Sequence, residues 1–246
     1  MMAFMNFTDY DVLSFDCYGT LIDWEAGISA VLGPWARRYQ PDLTDEDVLV
    51  GYSGNEAEVE AEFADMVYSE VLQEAFRRTG AALGFEVTDA EAAALGGSVG
   101  DWPAFPDSAE ALARLKHHCR LIILSNVHRE GFAASNRRLG VEFDAILTAQ
   151  DIRSYKPNPA NFDALLAKAD EMGVPEGRLL HVAQSLFHDH VPAKAKGLPT
   201  VWINRRHDQP GWGATPEPGA AVSVDAEYPS MAAFADAVDA AFDRRT

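Results

Sequence analysis

The sequence predicts an α/β fold: a doubly wound parallel sheet with a helical segment inserted after its first strand. Three observations predict it. A short apolar run, Val12 to Phe15, ends at Asp16 and a Gly-containing turn, Tyr18-Gly19-Thr20. Residues 41–100 hold several helical patterns and no convincing strand. From residue 108 onward, strand-length apolar runs alternate with helical patterns, which places helices on both faces of a parallel sheet.

Taken in order, strand 12–16 leads into an amphipathic segment, Trp24 to Arg38, expected to break near Gly33-Pro34. Helical patterns follow at Asp45–Val50, Glu56–Gly80 and Asp89–Leu95, the last opened by Thr88 and Glu91 at capping-box spacing. Pro103 and Pro106 in WPAFPD (102–107) stiffen the return of the chain. A helix (Ser108–His117), a strand (Leu121–Leu124), a helix near Glu130–Leu139 and a strand (Ala145–Thr148) come next. The loop YKPNP (155–159), a helix (Ala160–Met172), the strand Leu179–Val182 and the loop AQSLFHDH (183–190) follow. A short helix ending at Gly197, the strand Thr200–Ile203, a Gly- and Pro-rich loop (207–218) and a helix over 229–243 complete the pattern. The expected domains are a core of 1–22 and 101–246 and a helical cap of 23–100.

With 246 residues, 48% hydrophobic and 10% aromatic, the chain can build a substantial core. Twenty Lys and Arg stand against 38 Asp and Glu, a net charge of -18 with no basic cluster. That balance disfavours nucleic acid and anionic membrane surfaces as partners. No apolar run approaches spanning length, and no basic region precedes a long apolar segment at the N-terminus. Cys17 and Cys119 are too few for a disulfide framework, so a reduced, cytoplasmic setting is expected.

Polar groups sit at four successive strand ends: Asp16 with Thr20, Ser125 with Asn126, Lys156, and Asp189. In a parallel sheet those ends lie along one edge, so a carboxylate, two hydroxyls, an amide, a cation and a second carboxylate converge there. Singly, each has a plainer reading: Thr20 and Ser125 as caps, Lys156 as a surface charge, Asp189 as a helix N-terminal acid. Cys17 lies beside Asp16 but lacks an acid-base partner, and a small buried filler is its plainer role.

FDCYGTL (15–21), LSN (124–126), SYKPNP (154–159) and the SLFHD loop resemble the four motifs of the haloacid dehalogenase superfamily, in order and spacing. The resemblance spans nearly the whole chain. It implies a Rossmann-like core with a helical cap after the first motif, Asp16 as nucleophile, Thr20 and Ser125 as hydroxyl ligands, and Lys156 as the orienting cation. Phosphatases of the superfamily carry a second Asp two positions after the nucleophile and a Gly-Asp-Ser fourth motif. Here Tyr18 and Ala183-Gln184-Ser185 stand at those positions, which removes carboxylates that would hold Mg²⁺. No cofactor is therefore expected, Mg²⁺ being implied only under a phosphatase reading.

Asp-x-Tyr-Gly-Thr instead resembles the metal-independent (S)-2-haloacid dehalogenase branch. There Asp16 would attack C2 of a small 2-substituted acid and form an ester. Water activated by Asp189 would then hydrolyse it, with Asn126 and backbone N–H groups after Asp16 meeting the oxyanion. The branch pattern is not complete: Gln184 and Leu186 replace a Ser-x-Asn pair, and Phe162 replaces a Tyr. The cap arm of that branch supplies an Arg for the halide, whereas residues 51–76 hold no Lys or Arg and seven acids (Glu56, Glu58, Glu60, Glu62, Asp65, Glu70, Glu74). Most of these read as a solvated helix face.

FDCYGTLIDWE, WPAFPD, TAQD, SLFHDH and RRH…GATP together resemble the azetidine-2-carboxylate hydrolase subgroup of the same family. That activity opens a strained ring and expels a nitrogen, which His188, His190 or a cap acid would attend. Substrate contacts are expected from Cys17, Tyr18, Trp24, Asn55, Phe162, Ser185 and His188, with Trp102 a further apolar wall. The implied partner is a small carboxylic or amino acid, and a homodimer is compatible with the resemblance.

Overall fold

A computed structural model of the chain describes residues 5–209, 211–219 and 221–244. Six parallel strands make one sheet in the order β3-β2-β1-β4-β5-β6. They are β1 (Val12–Phe15), β2 (Arg120–Ser125), β3 (Ala145–Thr148), β4 (Leu179–Ala183), β5 (Thr200–Ile203) and β6 (Ala226–Tyr228). The chain builds outward from β1 through β2 to β3, then returns to place β4 on the other side of β1. Ligands of open α/β sheets bind at such a reversal, beyond the strands' carboxyl ends. Phe15 is level with Ile123 of β2 and Val182 of β4, so Asp16 emerges at the middle of that edge.

Alternation along the central strands sends side chains to two cores. Leu13, Phe15, Leu121, Ile123, Leu180 and Val182 join the larger cluster, while Val12, Ile122, Leu124 and Leu179 join the smaller one with Phe162 and Leu165. Near-continuous burial of β1, β2 and β4 is what a sheet covered on both faces requires.

Four helices lie between β1 and the return segment: α1 (Trp24–Arg37), α2 (Asp45–Glu62), α3 (Tyr68–Leu83) and α4 (Asp89–Gly96). Thr44 with Asp47, and Thr88 with Glu91, form reciprocal capping boxes on α2 and α4. The crossing points are adjacent, since Asp23 N–H donates to Pro103 O at 2.8 Å and Phe105 N–H to Leu21 O at 3.0 Å. Trp102 seals this junction, edge-on to Tyr18 and Tyr68. It lies so near Gly27 that a Cβ there would sit 2.3 Å from its ring.

Some sequence expectations are corrected. Helix α1 does not break at Gly33-Pro34: it runs to Arg37, held by buried Trp35, which packs edge-on to Phe76 and donates to Glu86 O at 3.0 Å. Packing here outweighs the hydrogen bond that Pro34 cannot make. Gly51 and Gly54 do not interrupt α2, and the predicted Glu56–Gly80 helix is instead divided after Glu62, by a turn without Gly or Pro.

The remaining helices are α5 (Ser108–Lys116), α6 (Arg129–Leu139), α7 (Ala149–Ile152), α8 (Pro159–Glu171), α9 (Val191–Ala195) and α10 (Met231–Asp243). Helix α7 and β6 were not expected, being only four and three residues long. The loop expected over 183–190 contains a π-helical turn, Leu186–His190, capped by Ser185.

Candidate active site

The carboxyl ends of β1, β2 and β4 and the turn before α8 bring charged groups together under α2. Lys156 Nζ lies 2.8 Å from Asp16 Oδ1, 2.7 Å from Asp189 Oδ1 and 3.1 Å from Leu124 O. All three charged side chains are buried. Thr20 donates to Asp16 Oδ2 at 2.7 Å and accepts from the Gln184 N–H at 2.9 Å, tying the β1 turn to the end of β4. Gly19 makes the turn at φ 94°, where a Cβ would press on Gln184 and Trp24.

Burial opposes every charge in this cluster, and the ion pairs outweigh it at Asp189 and Lys156 but not at Asp16. For Asp16 desolvation wins: its pKa is raised despite Lys156. For Asp189 burial is outweighed by Lys156 and by His181, so its pKa is lowered. Burial would also neutralise Lys156, but the two carboxylates push its pKa up. Asp189 Oδ2 and Ser125 Oγ are buried and find no hydrogen-bond partner among the described residues.

These groups face a cleft of about 650 Å³, counting its open mouth. Its floor is Asp16, Ser125, Lys156 and Asp189; its sides are Tyr18, Trp24, Asn126, Gln184, Ser185, His188 and Thr215; its roof is Ser53, Glu56, Ala57, Glu60 and Tyr68. The α2 roof residues recur at i, i+3, i+4 and i+7, one face of a helix. Asn55 is off that face and donates instead to Gly51 O and Thr79 Oγ1.

Four other expected contacts also lie elsewhere. Cys17 is fully buried beside Asp16 and does not line the cleft, and burial raises its thiol pKa well above normal. Phe162 packs in the smaller core on the far side of the sheet, edge-on to His181. Trp102 supports Tyr18 from behind, and His190 turns its Nε2 to Ala183 O at 2.9 Å, away from the cleft lining. His188 does line the cleft; burial pushes its pKa down to about 4, and its Nδ1 meets Ser185 Oγ at 3.1 Å.

Of the seven acids expected mostly on a solvated face, Glu58, Glu62, Asp65 and Glu70 are exposed and Glu74 is half-buried beside Arg78. Glu56 and Glu60 are the exceptions. Glu56 Oε1 accepts from Tyr68 at 2.9 Å and Tyr52 at 3.2 Å, and burial pushes its pKa up to about 7. Glu60 accepts from Asn126 Nδ2 at 3.2 Å, and burial and Glu56 raise its pKa. The other Asn126 contacts, Nδ2 to Lys156 O at 3.0 Å and Lys156 N–H to Oδ1 at 2.7 Å, fasten the β2 end to the lysine backbone.

A family model described as haloacid dehalogenase-like hydrolase matches residues 10–182. The chain belongs to that family. Among curated proteins, this haloacid dehalogenase-like chain is 30% identical over 132 residues to (S)-2-haloacid dehalogenase 4A of Burkholderia cepacia, 52% of this chain and 55% of that protein. It is 27% identical over 143 residues to (S)-2-haloacid dehalogenase of Pseudomonas fluorescens, 57% of this chain and 61% of that protein. The matches thus span little more than half the length of these relatives. The same fold is found in L-2-haloacid dehalogenase from Xanthobacter autotrophicus with chloropropionic acid covalently bound, at TM-score 0.75, 21% identity, and coverage of 94% of this chain and 98% of that one.

The haloacid dehalogenase-like site does not fit a divalent cation. Among the described residues no group of three His, Cys, Asp or Glu side chains is placed to hold a metal ion. The Tyr18 hydroxyl is bonded to Ser135 Oγ at 2.9 Å, and Lys156 already spans the two carboxylates.

Proposed function

We propose that the chain is a metal-independent hydrolase of small 2-substituted carboxylic acids that works through an ester on Asp16. The observation that carries this reading is one buried lysine joining two carboxylates at the floor of one cleft. Asp16 attacks the substrate carbon, the carbon–leaving-group bond breaks with inversion, and the electron pair departs with the leaving group. Asp189 then takes a proton from water as the water oxygen attacks the Asp16 carbonyl. The hydroxy acid is released and the carboxylate regenerated. Helices of segment 23–100 cap the reaction, and Asn126 reaches the oxyanion once it exchanges its bond to Glu60. Support comes from the 2-haloacid dehalogenases among its relatives and from the Xanthobacter structure's covalently bound chloropropionic acid.

A second reading, ring opening of azetidine-2-carboxylate, is favoured by Glu56 and Glu60 in the roof. A halide departs as an anion, and the described cleft lining has no Arg and only Lys156, committed to two carboxylates. A nitrogen leaving group carries a proton and is matched by carboxylates.

The test is single turnover of chelator-treated protein in ¹⁸O-labelled water with azetidine-2-carboxylate and (S)-2-chloropropionate in parallel. Label in the Asp16 peptide, absent in Asp16→Asn, is expected, and the substrate consumed identifies the leaving group. Product formed without label in Asp16, or phosphate-ester hydrolysis appearing only with Mg²⁺, overturns the proposal.

A further inference from the structure

We infer that His181 is a positioning residue for the hydrolytic half of the reaction, pinning one oxygen of Asp189 so that the other faces the cleft. The inference rests on the aspartyl-ester reading above. His181 lies mid-strand in β4, fully buried, on the face that carries Phe162. An imidazole buried in such a setting needs partners for both nitrogens. Nε2 lies 3.0 Å from Asp189 Oδ1, and Nδ1 lies 2.9 Å from Ser14 Oγ, the residue in register with it on β1.

The hydrogen-bond roles follow from chemistry. The Asp189 carboxylate only accepts, so Nε2 carries the hydrogen. The Ser14 hydroxyl then donates to Nδ1 in preference to Leu180 O, which is 3.5 Å away. Asp189 Oδ1 thus receives two donors from different directions, Lys156 and His181. Oδ2 receives none among the described residues. One donor would leave the carboxylate free to turn about its Cβ–Cγ bond; two fix its plane. Water gives its proton to Oδ2, its oxygen bonds to the Asp16 carbonyl carbon, the ester C–O bond breaks, and the departing oxygen recovers the proton. Lys156 touches both carboxylates, whereas His181 touches only the one acting in this second step.

The test compares wild type, His181→Leu, His181→Gln and Ser14→Ala in the full chain, using whichever of azetidine-2-carboxylate and (S)-2-chloropropionate wild type consumes. In His181→Leu the first-turnover burst should stay within about 3-fold of wild type, while steady-state turnover falls on the order of 100-fold. The ester should accumulate on Asp16 by intact mass. His181→Gln, which restores a donor at the Nε2 position, should recover much of the loss. Ser14→Ala, a milder change, should show partial ester build-up. A structural role alone would lower both steps together; that result, or no ester build-up in either His181→Leu or Ser14→Ala, overturns the inference. No ester in wild type with either probe overturns the mechanism it rests on, a distinguishable failure.

Discussion

The Lys156 ammonium lies 2.8 Å from Oδ1 of Asp16, and both side chains are buried. A second contact, 2.7 Å to Asp189, makes this lysine a cation shared by two buried carboxylates. Buried charges are costly until paired, and removing the shared ammonium leaves Asp16 and Asp189 with only the Thr20 and His181 hydrogen bonds. Lys156→Met should therefore cost ~3–5 kcal/mol of stability and abolish turnover. Lys156→Arg should not restore it, since a planar guanidinium cannot take the place of a compact ammonium. Denaturant midpoints and single-turnover ester formation check the two effects separately.

Glu56 gives a pH-dependent stability with a defined sign. Its folded pKa is raised to about 7 from 4.5, so folding favours the protonated acid. That stability is fully present below pH 4.5 and is lost as pH rises to about 7. His188, lowered to about 4, works in the opposite direction, so the difference from Glu56→Gln isolates the carboxyl. Relative to that variant, wild type should lose stability over this window, by about 3 kcal/mol at most, and then stay level. Thermal unfolding of both proteins from pH 4 to 8 checks it; parallel curves would show that folding leaves the Glu56 carboxyl unperturbed.

Gly27 is required by Trp102. A Cβ at position 27 would lie 2.3 Å from the indole ring, and Trp102 is fixed by its Nε1 bond to Ser98 Oγ at 2.9 Å and by Tyr18 and Tyr68. Gly27→Ala should destabilise by ~1–3 kcal/mol through overpacking. Because the ring supports two cleft tyrosines, KM should rise more than kcat falls.

Much of this arrangement was legible in the sequence because it depends on local pattern. Strands at 145–148 and 200–203 are bounded as expected, and the strand-end residues Asp16, Ser125, Lys156 and Asp189 meet because a parallel sheet leaves them no other edge. Helix rotation was not legible: the sequence points to Asn55 as a contact, yet Ser53, Glu56, Ala57 and Glu60 line the cleft. A run of acids at every second position masks which ones face inward. Proximity in sequence also misled, since Cys17 neighbours Asp16 but faces the core. Phe162, six residues beyond Lys156, belongs to the opposite face of the sheet. His181 gave no signal at all. A polar residue inside an apolar strand looks like an isolated core histidine until Ser14 and Asp189 are seen on its two nitrogens.

Turnover should be indifferent to divalent cations. Tyr18 and Gln184 stand near Asp16 without contributing charge, and the Lys156 ammonium holds both carboxylates. Adding EDTA should change the rate by less than about 2-fold, and Mg²⁺ should not create phosphatase activity. A Mg²⁺-dependent gain with a phosphate ester would contradict the donor set.

The roof acids should set leaving-group preference. Glu56 and Glu60 are the carboxylates opposite Asp16 across the cleft, borne on α2, which has no Lys or Arg. Ionised, they repel a departing halide and attract a protonated nitrogen; protonated, they still offer a hydrogen to a nitrogen that leaves. Converting both to Gln removes the repulsion while keeping size and hydrogen-bonding capacity. The Glu56→Gln/Glu60→Gln protein should therefore change its kcat/KM ratio for (S)-2-chloropropionate over azetidine-2-carboxylate at least tenfold towards the halide, the rate equivalent of ~1.4 kcal/mol. Ester formation on Asp16 should persist with the halide substrate, because neither glutamate touches Asp16, Lys156 or Asp189. If the ratio does not move, the acids serve packing with Tyr52, Tyr68 and Asn126, and leaving-group choice must lie with the cleft wall at Tyr18, Trp24 and His188.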